Sequence, residues 1–267
     1  MIYFCASIIC LILIIVLSLA YRGENIMYTK DDISYLNSLK QTNPDIYEHV
    51  TAIYSRLQAD VRKGCHDLRN IITLISGNYQ LTELEDPDIS DNERWQQMGN
   101  DLDFLVSSLN AINEYRYANV LKLCKINTYE YIWRLQEDLS TVNGICPDIS
   151  VSIPPTIPSV SIDTDKISYV IKALITNITE ASSDASITLS IDYKSDTLYI
   201  HIADNVDEFD SRTSKSVFEL FNTSKQNHIG MSLAISYRIL LAHRGELSYS
   251  KNTPCGSIFT LALPIVP

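Results

Sequence analysis

The sequence predicts an α+β protein in three parts: an N-terminal transmembrane helix, an antiparallel helical hairpin forming a dimeric four-helix bundle, and a C-terminal α/β sandwich. Three observations predict it. Ile2 to Ala20 is an apolar run without a charge, long enough to cross hydrocarbon as a helix. Two later stretches place apolar residues at steps of three and four, the signature of helices with one buried stripe. From about Leu123 the pattern changes to alternating segments separated by turn residues, which read as strands, interleaved with two more helical stretches.

The first segment opens Met-Ile-Tyr-Phe and lacks the basic start and cleavage site of a secretory signal. Its first basic residues, Arg22 and Lys30, follow the span, so the positive-inside rule puts the remaining chain in the cytoplasm. The expectation is a single-pass protein of the cell membrane, tethered through residues 1–21, with a juxtamembrane linker over 22–44 and no extracellular sensor domain.

The hairpin is expected over 45–120. Ile46, Val50, Ile53, Leu57, Val61, Cys65, Leu68, Ile72, Ile75 and Tyr79 mark its first helix. Pro87 and the polar residues to Asn92 end it. Trp95, Met98, Leu102, Leu105, Leu109 and Ile112 mark the second helix. Two helices bury such seams poorly alone, so pairing with a second copy as a homodimer is expected.

Residues 121–267 form the mixed domain. Asp165 to Ser182 reads as a helix with Ile167, Val170, Ile171, Leu174, Ile175 and Ile178 on one face. Ile187–Tyr193 and Leu198–Ala203 read as strands joined by a turn at Lys194-Ser195-Asp196. A further helix begins near Gly230 and runs to Ala242. Glu246–Ser250 and Ser257–Leu263 close the domain around Asn252-Thr253-Pro254.

Composition excludes several classes. A net charge of −11 argues against sequence-independent nucleic-acid binding, which needs cations to displace the counterions of phosphates. The six cysteines contain no C-x-x-C pair, so neither a zinc site nor a disulfide framework is indicated.

His66-Asp67-Leu68-Arg69-Asn70 is the first motif with chemistry. The seam through Cys65, Leu68 and Ile72 leaves His66 on the flank, facing water, with Asn70 one turn on. A phosphoryl-accepting imidazole must be neutral and exposed, and an adjacent carboxylate can orient it or take its proton. An amide one turn away can position a water for attack on a partner's phosphoryl group.

This pentad resembles the phosphoacceptor box of the sensor histidine kinases, and Ile72 to Leu81 resembles their sporulation phosphotransferase branch. The proline usual after the box is replaced by Ile71, so no kink is required there. Ala173 to Ala181 resembles the asparagine box of the Bergerat-type ATPases, the family of gyrase B and the histidine kinases. There the resemblance makes Asn177 the side-chain ligand of magnesium, while Ala173 stands where a polar residue is usual. Ile200 to Asn205 resembles the strand leading to the first glycine box, whose aspartate, here Asp204, accepts a hydrogen bond from the adenine amino group. Val206 and Glu208 replace the glycines that follow.

Val217 to Lys225 resembles the phenylalanine box and the Thr-Lys before the second glycine box, which implies a nucleotide-binding role for Lys225. His228, Gly230 and Ser232 occupy that box's three glycine positions, so Gly230 alone is retained, at a helix start suited to phosphate. Leu240–Leu247 and Gly256–Pro264 resemble the closing strands, with Ser257 near the adenine pocket. His243 reads as a cap or packing residue.

The resemblance spans about Ile46 to Pro264. It implies ATP and Mg2+ as cofactors, catalytic roles for His66, Asp67 and Asn70, and a response regulator receiver domain as partner. The expected function is that of a membrane-anchored histidine kinase, autophosphorylated on His66 and passing the phosphoryl group to a response regulator aspartate. The eroded glycine boxes favour an alternative, an ATP-independent phosphotransferase or pseudokinase docking the same partner. A dimeric scaffold without phosphate chemistry is the third reading, and it has no use for the intact pentad.

Overall fold

The computed structural model describes residues 30–141, 146–206, 216–223 and 228–265. The chain divides into two units at Leu109/Asn110.

The first unit is helical. Helix α1 (Lys30–Thr42) occupies part of the stretch read as a linker. Helix α2 (Pro44–Glu85) runs for 42 residues. Asn43 caps it by accepting the Ile46 N–H at 3.3 Å, and Pro44 fits the first helical position, where no N–H is needed. Ile71 lies within the unbroken helix, as the missing proline allows. A 3-10 turn over Pro87–Asp91 leads to helix α3 (Glu93–Tyr117).

The hairpin is pinned beside its turn. Tyr79 stacks on Trp95 with centroids 4.4 Å apart. The Tyr79 hydroxyl donates to Trp95 O at 3.3 Å, and the indole N–H donates to Glu83 Oε1 at 2.9 Å. Gly99 makes room for this packing, since a Cβ there would lie 2.7 Å from the Tyr79 hydroxyl. Farther from the turn, Ile72, Leu105 and Leu109 form a buried cluster with Leu68 against it.

Two expectations are corrected here. The proposed membrane span, Ile2–Ala20, lies outside the described residues, and among the described residues no helix is long and apolar enough to cross a membrane. Length is not what disqualifies α2, which at about 1.5 Å per residue exceeds any bilayer; its charges, among them Arg62, Lys63, Asp67 and Arg69, recur on successive turns. The transmembrane anchor and the single-pass membrane location built on it are therefore withdrawn. The homodimeric four-helix bundle likewise finds no support. Within the chain the hairpin closes on its own cluster, while Ile46, Val50, Ile53, Leu57 and Ile75 of the expected seam stay exposed.

The second unit is an α/β sandwich, as expected. Its main sheet has the order β2-β4-β5-β7-β6, formed by β2 (Asp148–Ser152), β4 (Ser186–Lys194), β5 (Thr197–Asp204), β6 (Glu246–Lys251) and β7 (Ser257–Pro264). The β2–β4 pair is parallel and the others are antiparallel. Ser195 and Asp196 both have positive φ, 50° and 59°, so the β4–β5 hairpin closes through the two-residue turn whose twist matches its strands.

Strict alternation puts Ile187, Leu189, Ile191, Leu198, Ile200, Ile202, Phe259 and Leu261 on one buried face. Helices α5 (Thr164–Ala181) and α6 (Ser232–Ala242) also bury their apolar stripes, through Ile167, Ile171, Leu174 and Ile175 on the first and Ala234, Ile235 and Ile239 on the second. The sequence pattern does not announce three further elements: strands β1 (Cys124–Ile126) and β3 (Val160–Ile162), which pair antiparallel, and helix α4 (Thr128–Asp138). Each is short, and α4 buries only Thr128, Ile132 and Leu135.

A buried polar junction joins distant parts of this unit. The Asp163 carboxylate accepts Lys122 N–H at 2.7 Å through Oδ2 and Lys166 N–H at 3.1 Å through Oδ1, capping α5. The Asp163 N–H donates to His243 Nε2 at 3.0 Å, and Nδ1 of that ring lies 2.8 Å from Ile239 O. These partners fix the tautomer, with the proton on Nδ1. His243 is thus a packing residue, as read.

Burial holds the His243 pKa below its ordinary 6.5, against the opposing effects of the Ile239 carbonyl and the Asp163 charge. Above that pH the ring is neutral folded or unfolded and contributes nothing. As the pH falls below 6.5, the unfolded chain takes up a proton that the folded ring refuses, so stability drops until the folded pKa is reached. Melting temperature measured from pH 7 to 5 is expected to fall, and His243→Gln is expected to flatten part of that slope.

Candidate functional site

The hairpin residues come from one helical face. His66 lies on α2 with its side chain 71% exposed, and Asp67 beside it is 60% exposed. His66 Nδ1 is 3.5 Å from Asp67 Oδ1 and 3.3 Å from Asn70 Nδ2. These two neighbours ask for different tautomers. A proton on Nδ1 donates to the carboxylate and leaves Nε2 with its lone pair. A bare Nδ1 accepts from the amide and leaves the proton on Nε2. Either way Nδ1 faces the helix's own polar groups, so Nε2 is the nitrogen left for chemistry. At these lengths and exposures the contacts are weak, of a kind that tightens when a reactant arrives.

In the second unit Asn177 sits on α5, half-buried, between the core residues Leu174 and Ile178. Glu180, one turn on, pairs with His228 at 3.9 Å. The residue standing at a glycine position thus bears a side chain that meets the asparagine-box helix.

Asp204 ends β5 and is 3% exposed. Its Oδ1 accepts N–H groups from Val206 at 2.8 Å and from Ser257 at 3.2 Å. Ser257, itself buried, therefore meets the expected adenine acceptor through its backbone. Gly230 has φ +68°, and a Cβ there would lie 2.9 Å from Asn222 N and Phe221 C. Its lack of a side chain is required by the phenylalanine-box backbone packed against it. That box is anchored by Phe218, which is buried and stacks on Tyr237 of α6 at 5.3 Å. Met231 precedes α6 and provides no side-chain cap for its first turn.

The second unit thus assembles Asp204 with Ser257, places Gly230 before α6, and carries Asn177 on α5. His66, Asp67 and Asn70 belong to the first unit. Lys225 and Glu208 lie outside the described residues. The Glu180–His228 pair was not legible in the motif, because its partners are 48 positions apart and only the missing glycine hinted at a substitute contact.

The donor set suits magnesium and a purine nucleotide. Asn177 offers an amide oxygen, a hard ligand fit for that cation. The Asp204 carboxylate is a buried, fixed acceptor, and an uncapped helix start attracts phosphate.

Residues 162–267 match the model of the histidine kinase-, DNA gyrase B- and HSP90-like ATPases, the module that binds ATP and Mg2+ in histidine kinases. The signal transduction histidine-protein kinase AtoS of Escherichia coli is 27% identical over 202 residues, covering 75% of this chain and 28% of AtoS. The chain thus spans under a third of that relative's length. Among solved structures, full-length ShkA with AMPPNP aligns at a TM-score of 0.64 and 16% identity, covering 78% of this chain and 46% of ShkA. The histidine kinase ThkA in complex with response regulator protein TrrA aligns at 0.53 and 19%, covering 87% of this chain and 67% of that one. At such identities the structural matches establish the fold. From a buried carboxylate at the end of β5 and the family match that includes it, residues 162–267 form a Bergerat-type ATP-binding domain of the histidine kinase-, DNA gyrase B- and HSP90-like ATPases, and with the exposed imidazole, carboxylate and amide of α2 the chain as a whole is similar to the sensor histidine kinases.

Proposed function

We propose that the chain is a protein histidine kinase that phosphorylates itself on His66 and passes the phosphoryl group to an aspartate of a response regulator. The observation that carries this reading is the exposed His66, flanked by Asp67 and Asn70 within 3.5 Å of Nδ1, in one chain with an ATPase-family unit. Asp204 would accept from the adenine amino group, and Asn177 would hold the magnesium ion that neutralises phosphate charge when ATP is bound. Lys225 would contribute a cation to the phosphates, and Gly230 would lie along them.

In the transfer step His66 Nε2 attacks the γ-phosphorus, the bond to the β,γ-bridging oxygen breaks, and ADP leaves. The Nδ1 proton then passes to Asp67, so the phosphorylated ring is neutral. Discharge to a receiver aspartate reverses the bond order at Nε2. The partner class is supported by the resemblance to ThkA, which has been seen with TrrA.

A second reading keeps the hairpin chemistry and drops the nucleotide: His66 relays, or Asn70 helps water remove, a regulator's phosphoryl group. The His228–Glu180 pair, at a position where the family has glycine, favours it. Incubation of the full chain with magnesium and γ-labelled ATP separates the two. The kinase reading expects acid-labile label on the chain and a magnesium-dependent rise in melting temperature. No label and no shift would replace it with the second.

A further inference from the structure

The turn between β6 and β7 reaches across to the carboxylate that ends β5. Asn252 donates from Nδ2 to the backbone oxygen of Asp204 at 2.8 Å. Its Oδ1 accepts the Thr253 N–H at 2.9 Å, and its own N–H donates to Gly256 O at 2.9 Å. The amide orientation is fixed by this pair of contacts. Exchanging its oxygen and nitrogen would set an oxygen against a carbonyl and an NH2 group against an N–H.

The same turn holds Asp204 from a second side. Ser257 N–H donates to Asp204 Oδ1, so the turn grips both the main chain and the side chain of this residue. Gly256, between them, has φ +101°, and a Cβ there would lie 2.0 Å from Asp204 O. Only a glycine permits the approach. Cys255 Sγ–H donates to Asn205 O at 3.4 Å, extending the seam by one residue. Asp204 is thereby clamped by a segment 48 positions away.

We propose that Asn252 is a positioning residue for nucleotide recognition, fixing the Asp204 backbone so that the carboxylate meets the exocyclic group at purine position 6. This rests on the reading of Asp204 as the adenine acceptor and assigns its base selectivity to the β6–β7 turn. A carboxylate accepts from a 6-amino group and repels a 6-oxo group, so selectivity depends on how firmly it is aimed. Loosening Asp204 lets it swing away from either base, which weakens the attraction and relieves the repulsion.

The test titrates ATP and inosine triphosphate, each with magnesium, into the full chain and its variants by calorimetry. Wild type is expected to prefer ATP. Asn252→Asp keeps the acceptor for Thr253 N–H and removes the donor to Asp204. It is expected to weaken ATP about fivefold, the scale of one lost hydrogen bond, and to leave inosine triphosphate unchanged or slightly tighter. Asn252→Ala, free of new charge, is expected to do the same and serves if the aspartate variant melts early. Equal losses for both nucleotides, or an unchanged ratio in a folded variant, would overturn the role of Asn252 alone. A wild type that binds ATP no better than inosine triphosphate would overturn the reading of Asp204 and, with it, this one.

Discussion

Replacing His66 with alanine is expected to remove all label transferred from γ-labelled ATP while leaving ATP binding and stability unchanged. The nucleophilic nitrogen is lost outright, so no residual rate is expected. The side chain is 71% exposed, and surface substitutions of this kind stay within about 0.5 kcal/mol. His66→Gln keeps a polar side chain and is expected to fail equally. Asp67→Asn keeps the shape and removes the base, which lowers the rate by about a hundredfold, the usual contribution of a positioned proton acceptor. Label persisting in His66→Ala would place the acceptor elsewhere, and a melting temperature lowered by several degrees would mean the ring is structural.

Asp163→Ala is expected to destabilise the second unit by about 3 kcal/mol. Asp163 is 6% exposed and its carboxylate satisfies Lys122 N–H and Lys166 N–H. Truncation removes the cap of α5 and leaves two donors without their acceptor. Asp163→Asn retains one carbonyl oxygen but turns an NH2 group toward the other N–H, so about half the loss is expected. Asp165→Ala, exposed two positions on, is expected to cost under about 1 kcal/mol through the helix dipole alone. Urea unfolding of the three variants, followed by circular dichroism, measures the order. Equal effects at 163 and 165 would reduce Asp163 to an ordinary acidic residue of a first turn.

The chemistry proposed at His66 and the stability expected from Asp163 are not equally visible in the sequence. His66, Asp67 and Asn70 lie within five positions of a helix, so helical periodicity alone fixes their common face, and the observed exposure agrees with the seam through Leu68 and Ile72. Asp204 and Asn177 were found through motif order, because the strand and helix that carry them have strong patterns of their own. Asp163 offers no such cue. Its partners are 41 and 80 positions away, and an aspartate before a helix reads as a cap whether or not it also ties down other elements.

The corrected expectations share a cause. An apolar run or an exposed heptad stripe states that a surface needs covering, and says nothing about what covers it. The anchor over Ile2–Ala20 and the second hairpin copy were both such coverings, and neither is supported.

Local periodicity by itself determined helices α2, α3, α5 and α6, the alternating strands β4 to β7 and the face on which His66 stands, since each depends on residues a few positions apart. Only the tertiary structure decided that Asn252 holds Asp204, that His243 accepts from Asp163, and that His228 meets Glu180. Those contacts arise where the sheet and helices bring separate turns together. No spacing along the chain encodes them, because their geometry is set by the packing of the core beneath.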